Sequence, residues 1–465
     1  MAALAIGIDI GGTHIRAACV TGTGAILARA SARSSADAAT VLARCLSLIA
    51  EMHRPNVAAI GIGVPGQVHV TTRAVLSGGY VDLSSLPFAA EVEAATGLPV
   101  TLDNDANMAL LGEVACGAAR GCANVVMLTI GTGIGGAILN NGQVLRGRGA
   151  AGQLGHLMVE PEGRVCVCGK VGCVETVSSG TAFGVHLAEA GLPAATRVAD
   201  LLERHDQAAD KVLSAWAAPL RRALDTLIAT CNPDLVLLGG GAGDAAVAAL
   251  ARFPARASWF NAPVVAAALG DDAGVVGAAL AALPHPRRAV LVNGVPASGK
   301  SSVARALSGA TGWPILTLDT IKNPFLTELT PVDRTMNRTL GRASYAAIFD
   351  LMRDAQPGST FIIDAWFGFQ PPDVLEAGLA RAGVTETLEL WCAAPPDTIG
   401  ARYAARVDSR PTGHPGLDYV PELIALADRA LPIARGPCLT IDTICPLDLA
   451  ALTGWIARHW PATVQ

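Results

Sequence analysis

The sequence predicts an α/β protein with two nucleotide-handling domains, and three observations carry that reading. Asp9-Ile10-Gly11-Gly12-Thr13 lies between two apolar runs near the start. Gly294-Val295-Pro296-Ala297-Ser298-Gly299-Lys300-Ser301 lies far downstream, after a second such run. A single ATP site needs only one such device. The third observation is compositional: 51% of the 465 residues are hydrophobic, and strand-like runs alternate with helical stretches, as buried parallel sheets require.

The elements follow in order. Residues 4–10 and 15–20 read as strands joined by the Gly-Gly-Thr turn. Residues 57–64 form another apolar run, stopped by Pro65-Gly66. Residues 98–102 lead into Asp103-Asn104-Asp105 and a helical pattern over 106–114. Residues 125–130 and 135–139 flank Gly131-Thr132-Gly133. A period near 3.6 predicts a helix over about 208–230, stopped at Asn232-Pro233. A short strand over 235–238 precedes Gly239-Gly240-Gly241, and a last helix covers about 275–283. Pro284-His285-Pro286 breaks the chain there, so residues 284–287 read as a stiff linker. Beyond it, strands over 289–293, 315–318, 360–363, 387–391 and 439–441 alternate with helices, which is a βα repeat.

A net charge of −5 with no basic stripe argues against nucleic-acid binding. There is no room for a signal peptide before residue 4 and no apolar stretch of membrane-spanning length, so a soluble cytoplasmic protein without a membrane partner is expected. The 11 cysteines are too sparse for a disulfide scaffold.

Three of those cysteines nevertheless crowd together. Cys166-x-Cys168 and Cys173 offer three thiolates, Gly169 and Gly172 let the loop turn, and His156 lies ten positions upstream. Cys₃His is the closed tetrahedral set of structural zinc, against which stands a chance cluster of reduced thiols. The turn at Asp9, Gly11, Gly12 and Thr13 can aim N–H groups and a hydroxyl at phosphate, with Asp9 toward Mg²⁺; an ordinary hairpin would look alike. Two further glycine turns, at 131–136 and 239–241, each close a strand and favour a nucleotide cleft between two lobes.

Over about residues 4–283 these features resemble the ROK family of sugar kinases and repressors, within the actin and hexokinase-like (ribonuclease H-like) superfamily. The most specific stretches are Gly155-His156, residues 166–175 and Leu102-Asp103-Asn104-Asp105-Ala106-Asn107. The resemblance implies a two-lobed domain, with one lobe over about 1–106 and the other over 107–283. It implies Asp105 as the general base toward a sugar hydroxyl, although Asp103, Asn104 and Asp105 also sit where a helix cap is wanted. It implies Asn104, Gln153, His156 and Glu175 around the sugar, with His156 also on zinc. Asp9, Gly11, Gly12, Thr13, Thr132, Gly133, Gly240 and Gly241 would line the ATP cleft. Two departures stand out. Gln153 replaces the Glu usual two residues before the Gly-His pair, and an amide can donate as well as accept. Residues 77–80 lack the tryptophan-bearing stretch of many glucose-type members. Both point away from plain glucokinase activity. Nothing precedes residue 4 to serve as a repressor's helix-turn-helix, and a homodimer is a candidate assembly by family likeness.

Gly294 to Ser301 fits G-x-x-x-x-G-K-S between a strand and a helix, the context of a P-loop. Gly294, Ser298, Gly299, Ser301 and Ser302 would cradle phosphates, Lys300 would reach the β/γ-phosphates, and Ser301 would ligate Mg²⁺. Asp319 and Asp364 each follow an apolar run, where carboxylates face the crevice of a parallel sheet; Asp319 is the candidate base, and a helix cap is the alternative. Arg402, Arg406 and Arg410 recur every four residues and, on one helix face, would form a lid over ATP or a solvated surface. The pattern resembles small P-loop kinases related to chloramphenicol phosphotransferase and zeta-type toxins, in a P-loop NTPase α/β/α domain over 288–465.

The expected function is therefore a fused pair of ATP- and Mg²⁺-dependent phosphotransferases. The first would act on a hexose or N-acetylhexosamine with zinc shaping its pocket; the second has no acceptor readable from sequence. The rival is a sugar sensor with little turnover coupled to a P-loop ATPase. A mere interaction protein is disfavoured by the intact Asp105, Lys300 and Ser301.

Overall fold

The computed structural model describes residues 3–460 apart from 79–80, 205, 257, 285, 330, 357 and 411–412. Gly79, Tyr80 and the linker residue His285, named above, thus lie outside the described residues. The chain divides into two compact units between Leu283 and Pro284.

The first unit contains two five-stranded sheets of the same design. In one, Ile26–Arg33, His14–Thr21 and Leu4–Ile10 run antiparallel, and Val57–Val64 and Val100–Asn104 continue in parallel. In the other, Gln143–Val144, Ile134–Asn140 and Val125–Ile130 are antiparallel, followed in parallel by Leu235–Gly239 and Val264–Ala266. The central strands are buried along almost their whole length, which is why they read as continuous apolar runs. The helix Gln207–Cys231 keeps its 3.6-residue apolar stripe through Pro219 and buries Val212, Leu213, Trp216, Leu220 and Leu224. Asn232 ends it in the left-handed conformation, with its N–H on the Ile228 carbonyl.

The two sheets are joined by two helices rather than one. Asp105–Cys116 leaves the first sheet and packs on the second through Met108, Leu110 and Leu111. Ala273–Ala282 then returns to the first sheet, where Val275 and Ala279 meet Ala5, Ala18 and Val20. Division of the lobes at residue 106 is corrected accordingly: the first lobe draws on both ends of the unit. The return is close because the facing positions lack side chains. A Cβ on Gly61 would come within 1.8 Å of the Ala278 carbonyl oxygen, and one on Gly277 within 1.7 Å of the Met108 carbonyl oxygen.

The second unit has one parallel sheet in the order Ile315–Thr317, Thr360–Asp364, Arg287–Asn293, Val384–Ala393, Cys438–Asp442. Helices cover both faces. Tyr345, Ile348 and Phe349 pack with Leu291 and Ile363 on one side, and Val303, Leu307 and Ile456 with Val290 and Leu390 on the other. Among the described residues, no helix is long and apolar enough to cross a membrane.

Gly61→Ala is expected to destabilise the first unit by at least about 1–3 kcal/mol, since the clashing atom is backbone and cannot swing aside. Denaturant titration of the purified variant checks this; an unchanged midpoint would mean that the helix is not held where the contacts put it.

Candidate functional site

Asp9 is the last residue but one of the first strand, and Asp105 opens the helix that follows Val100–Asn104. Their strands are separated in the sheet only by Val57–Val64, so both carboxylates emerge at one end of it. Of the three polar residues at the helix start, each takes a different role. Asn104 is the cap: its Oδ1 accepts from the backbone N–H groups of Ala106 and Asn107 at 3.0 and 3.3 Å, while its Nδ2 donates to the Gly66 carbonyl at 2.8 Å. Asp103 turns inward and accepts from Arg146 Nε at 2.7 Å and Asn107 Nδ2 at 2.9 Å. Asp105 accepts from the Ala106 N–H at 2.8 Å.

The electrostatics set Asp105 apart. Burial, reinforced by the charge of Asp9, pushes its carboxyl up to about 7. Asp9 is pushed up to about 6, mainly by burial and against the pull of Arg16. Arg16 does not neutralise Asp9 directly, because its Nη2 lies 3.1 Å from Asp271. Asp9 also needs Gly274 beneath it, where a Cβ would come within 2.8 Å of its Cγ. Two carboxylates enclosed without a full counter-charge suit a cation or a transferable proton.

The glycine turns converge on the second sheet. Gly131 N–H donates to the Gly133 carbonyl, and the Gly131 carbonyl accepts from Gly180 at 2.8 Å. Thr181 Oγ1 donates to the Thr132 carbonyl at 2.8 Å. Gly240, at φ +74°, packs against Ile130, and the next residue but one donates to the Ile130 carbonyl at 2.9 Å. Thr132, Gly240 and Gly241 are therefore neighbours, and all three are exposed. Gly12 and Thr13 are exposed at the first turn, where the Gly11 N–H donates to the His14 carbonyl.

The cysteine knot sits against the second turn. Ligand atoms of His156, Cys166, Cys168 and Cys173 all lie within 4.8 Å of one another. Cys168 and Cys173 sulfurs are 3.6 Å apart, and Cys166 Sγ is 3.5 Å from His156 Nδ1. Sulfur atoms bonded tetrahedrally to zinc at about 2.3 Å stand about 3.8 Å apart, so the set fits that ion. Glu175 accepts from the Ile134 N–H at 2.9 Å and ties the knot to the strand after Gly133. Among the described residues, the Gln153 side chain has no hydrogen-bond partner.

In the second unit the P-loop adopts positive φ at Gly294, Ala297 and Gly299 before the helix Lys300–Thr311. Lys300 folds back to the Val295 carbonyl at 3.2 Å; burial lowers its pKa, and Asp364 and Asp319 oppose that. Asp364, 3% exposed, ends its strand within reach of Ser301. Ser298 is buried, its Oγ unpartnered, and Ser302 is exposed. Asp319 follows the strand Ile315–Thr317, in the first turn of Leu318–Glu328. One expectation is corrected: the arginines do not share a helix face. The helix Pro396–Ala404 carries only Arg402; Arg406 lies beyond it and Arg410 is extended, at φ −88° and ψ 148°, as the residue before Pro411 should be. Thr443, which the sequence does not single out, donates to the Ser298 carbonyl at 2.7 Å and accepts from Arg402 at 3.0 Å.

Comparison with known proteins divides the chain in the same way. A profile described as ROK family matches residues 5–284, and one described as AAA domain matches residues 290–415. The glucokinase of Halalkalibacterium halodurans is 33% identical over 305 residues, covering 58% of this chain and 92% of its own. The N-acetylmannosamine kinase of Yersinia pseudotuberculosis is 33% identical over 288 residues, covering 59% and 97%. A ROK family glucokinase from Streptomyces griseus, solved with glucose and AMPPNP, superposes with a TM-score of 0.54 at 31% identity over 60% of this chain and 99% of that one.

Asp105 and Asp9 have raised values, so the folded state prefers them protonated. Their contribution to stability is complete below the ordinary value of 3.8 and is lost as pH rises through about 6 and 7. Asp105→Asn, which cannot ionise, is therefore expected to melt above the wild-type chain at pH 8, with the gap closing toward pH 5. Calorimetric melts at both pH values decide it; a gap independent of pH would contradict the raised value.

Proposed function

The chain belongs to the ROK family, and from that premise we propose that its first unit transfers the γ-phosphoryl group of ATP to a hydroxyl of a hexose or N-acetylhexosamine. The observation that carries this is Asp105, a carboxyl pushed by burial and by the charge of Asp9 up to about 7, against the pull of the donors at the helix start. Such a group is poised as a general base at neutral pH. It takes the proton of the sugar hydroxyl as that oxygen attacks the γ-phosphorus. Phosphoryl transfer asks mainly for positioning and charge neutralisation, which the turns at Gly11–Thr13, Thr132–Gly133 and Gly240–Gly241 would supply through their N–H groups. Asp9 would hold the Mg²⁺ that accompanies ATP.

Zinc would be held by His156, Cys166, Cys168 and Cys173 as a structural ion. With Nδ1 toward the ion, His156 keeps Nε2 for a sugar hydroxyl. Asn104, Gln153 and Glu175 would complete the sugar contacts. Gln153 offers a donor where a carboxylate would only accept, which favours a sugar presenting an acceptor there, such as an N-acetyl carbonyl. The names of the relatives support both a hexose and an N-acetylhexosamine. The second unit, with its P-loop, Lys300, Ser301 and Asp364, acts as a second ATP-dependent phosphotransferase with Asp319 as base.

ADP release is measured across hexoses, N-acetylhexosamines and polyols for the wild-type chain, Asp105→Asn and Lys300→Ala. Asp105→Asn should lower sugar phosphorylation by about 10²–10⁴-fold while sugar binding persists. Lys300→Ala should leave sugar phosphorylation intact. Sugar binding without any Asp105-dependent turnover would make the first unit a sensor.

Zinc content is a separate check. Cys168→Ser should lose the ion by elemental analysis and weaken sugar binding; full retention of the ion would remove the ligand assignment.

A further inference from the structure

Beyond the P-loop, the second unit carries a further group of cations around Lys322. Lys322 is 7% exposed, one helical turn after Asp319. Among the described residues its Nζ has two polar neighbours, both distant: Asp319 at 3.7 Å and Asn337 at 3.4 Å. A buried ammonium with no short partner is costly, so the fold retains it for a reason other than stability. Arg410 approaches from a different part of the chain. Its guanidinium lies 4.4 Å over the Tyr403 ring and acts electrostatically on both Lys322 and Lys300. His414 joins them, its Nε2 3.0 Å from Asn323 Oδ1. Burial and the neighbouring Lys322 push His414 down to about 4, so it is neutral at pH 7 and adds no charge.

The sheet order separates this group from the nucleotide grip. Arg402 and Thr443 reach the P-loop from the side of Val384–Ala393 and Cys438–Asp442. Asp319 and Lys322 come from the opposite edge, after Ile315–Thr317. Asp364 lies on the strand between that edge and the P-loop strand. Gly413 and His414 lie on the Asp319 side, where the Gly413 carbonyl accepts from Asn337 Nδ2 and His414 meets Asn323. The cations therefore gather where the acceptor must sit.

Resting on the reading of this unit as a phosphotransferase, we propose that its acceptor already carries a phosphate monoester, gripped by Lys322 and Arg410, while a hydroxyl of the same molecule meets Asp319. Two cations match the near −2 charge of a phosphate monoester better than the single charge of a carboxylate. The acceptor oxygen bonds to the γ-phosphorus of a nucleoside triphosphate as the bond from that phosphorus to its bridging oxygen breaks. The electron pair leaves with the nucleoside diphosphate, and the hydroxyl proton passes to Asp319. The product is a bisphosphate. Hexose phosphates, the product class proposed for the first unit, meet this description.

The test uses the full chain carrying Asp105→Asn, which silences the first unit. ADP release and ³¹P NMR of the products are followed with glucose 1-phosphate, glucose 6-phosphate, N-acetylglucosamine 6-phosphate, glucose and gluconate. Binding of the same phosphates is measured by calorimetry, and the part lost on Lys322→Met is assigned to the second unit. The expected result is a bisphosphate from at least one hexose phosphate, with Lys322→Met and Arg410→Gln each raising KM roughly 10- to 100-fold and kcat changing less. Lys300→Ala should stop turnover and keep the Lys322-dependent binding. Binding that depends on Lys322 without turnover by any acceptor would sink the phosphotransferase reading and leave the anion site standing. Turnover of glucose or gluconate but not of the phosphates would overturn the proposal and leave phosphotransfer intact. Absence of both turnover and Lys322-dependent binding would overturn it as well.

Discussion

The close approach of the helix Ala273–Ala282 to the first sheet and to the helix Asp105–Cys116 is the contact on which the first unit's chemistry depends. Gly61, Gly112 and Gly277 remove side chains where backbone meets backbone, so the three elements lock with almost no intervening layer. A helix normally stands a side chain away from what it packs on, at 8–10 Å between axes for two helices. Here that spacing is sacrificed, and the gain is positional. Gly274 lets the helix start directly under Asp9, and Gly63 leaves room at 3.3 Å for the Asp105 backbone. The two carboxylates are held by main chain rather than by flexible partners.

That rigidity has an electrostatic consequence. The charge of Asp9 acts on Asp105, while Arg16, the cation that acts on Asp9, pairs with Asp271, and Arg29 pairs with Asp272. The site is acidic by construction and short of positive charge. Desolvation raises both carboxyls; the charge of Asp9 raises Asp105 further, and that of Asp271 raises Asp9. A cation bound beside Asp9 would relieve that excess of negative charge and lower both carboxyls.

Much of this was legible in the sequence, for identifiable reasons. Strands such as residues 57–64 and 125–130 are buried on both faces and announce themselves as apolar runs; the Gln207–Cys231 helix announces itself by period. The cysteine knot was legible because its ligands are almost contiguous. What was not legible depended on long-range pairing. The strand Ile26–Arg33 alternates exposure at an edge and has no strong apolar signal. The return of residues 273–282 to the first sheet is written only in glycines, each of which also reads as a loop residue. Arg402, Arg406 and Arg410 had helical spacing, but Pro411 forbids helix at the last of them. Thr443 and Lys322 lie in no motif; their surroundings appear only when the sheet brings the P-loop beside Cys438–Asp442 and the Asp319 helix beside His414.

The two units solve the same problem with opposite signs. In the first, enclosed carboxylates with raised values wait for a cation. In the second, burial lowers Lys300 and Lys322, so enclosed cations wait for anions. Both arrangements cost stability, because a desolvated charge is unfavourable whatever its sign. Both would be relieved by a ligand of opposite charge. The Asp319–Lys322 ion pair at 3.7 Å shows how the second unit tempers the cost: a loose contact restrains the ammonium without satisfying it. A tight pair would be more stable and would occupy both groups, so the looseness of that pair leaves the carboxylate and the ammonium open to another partner.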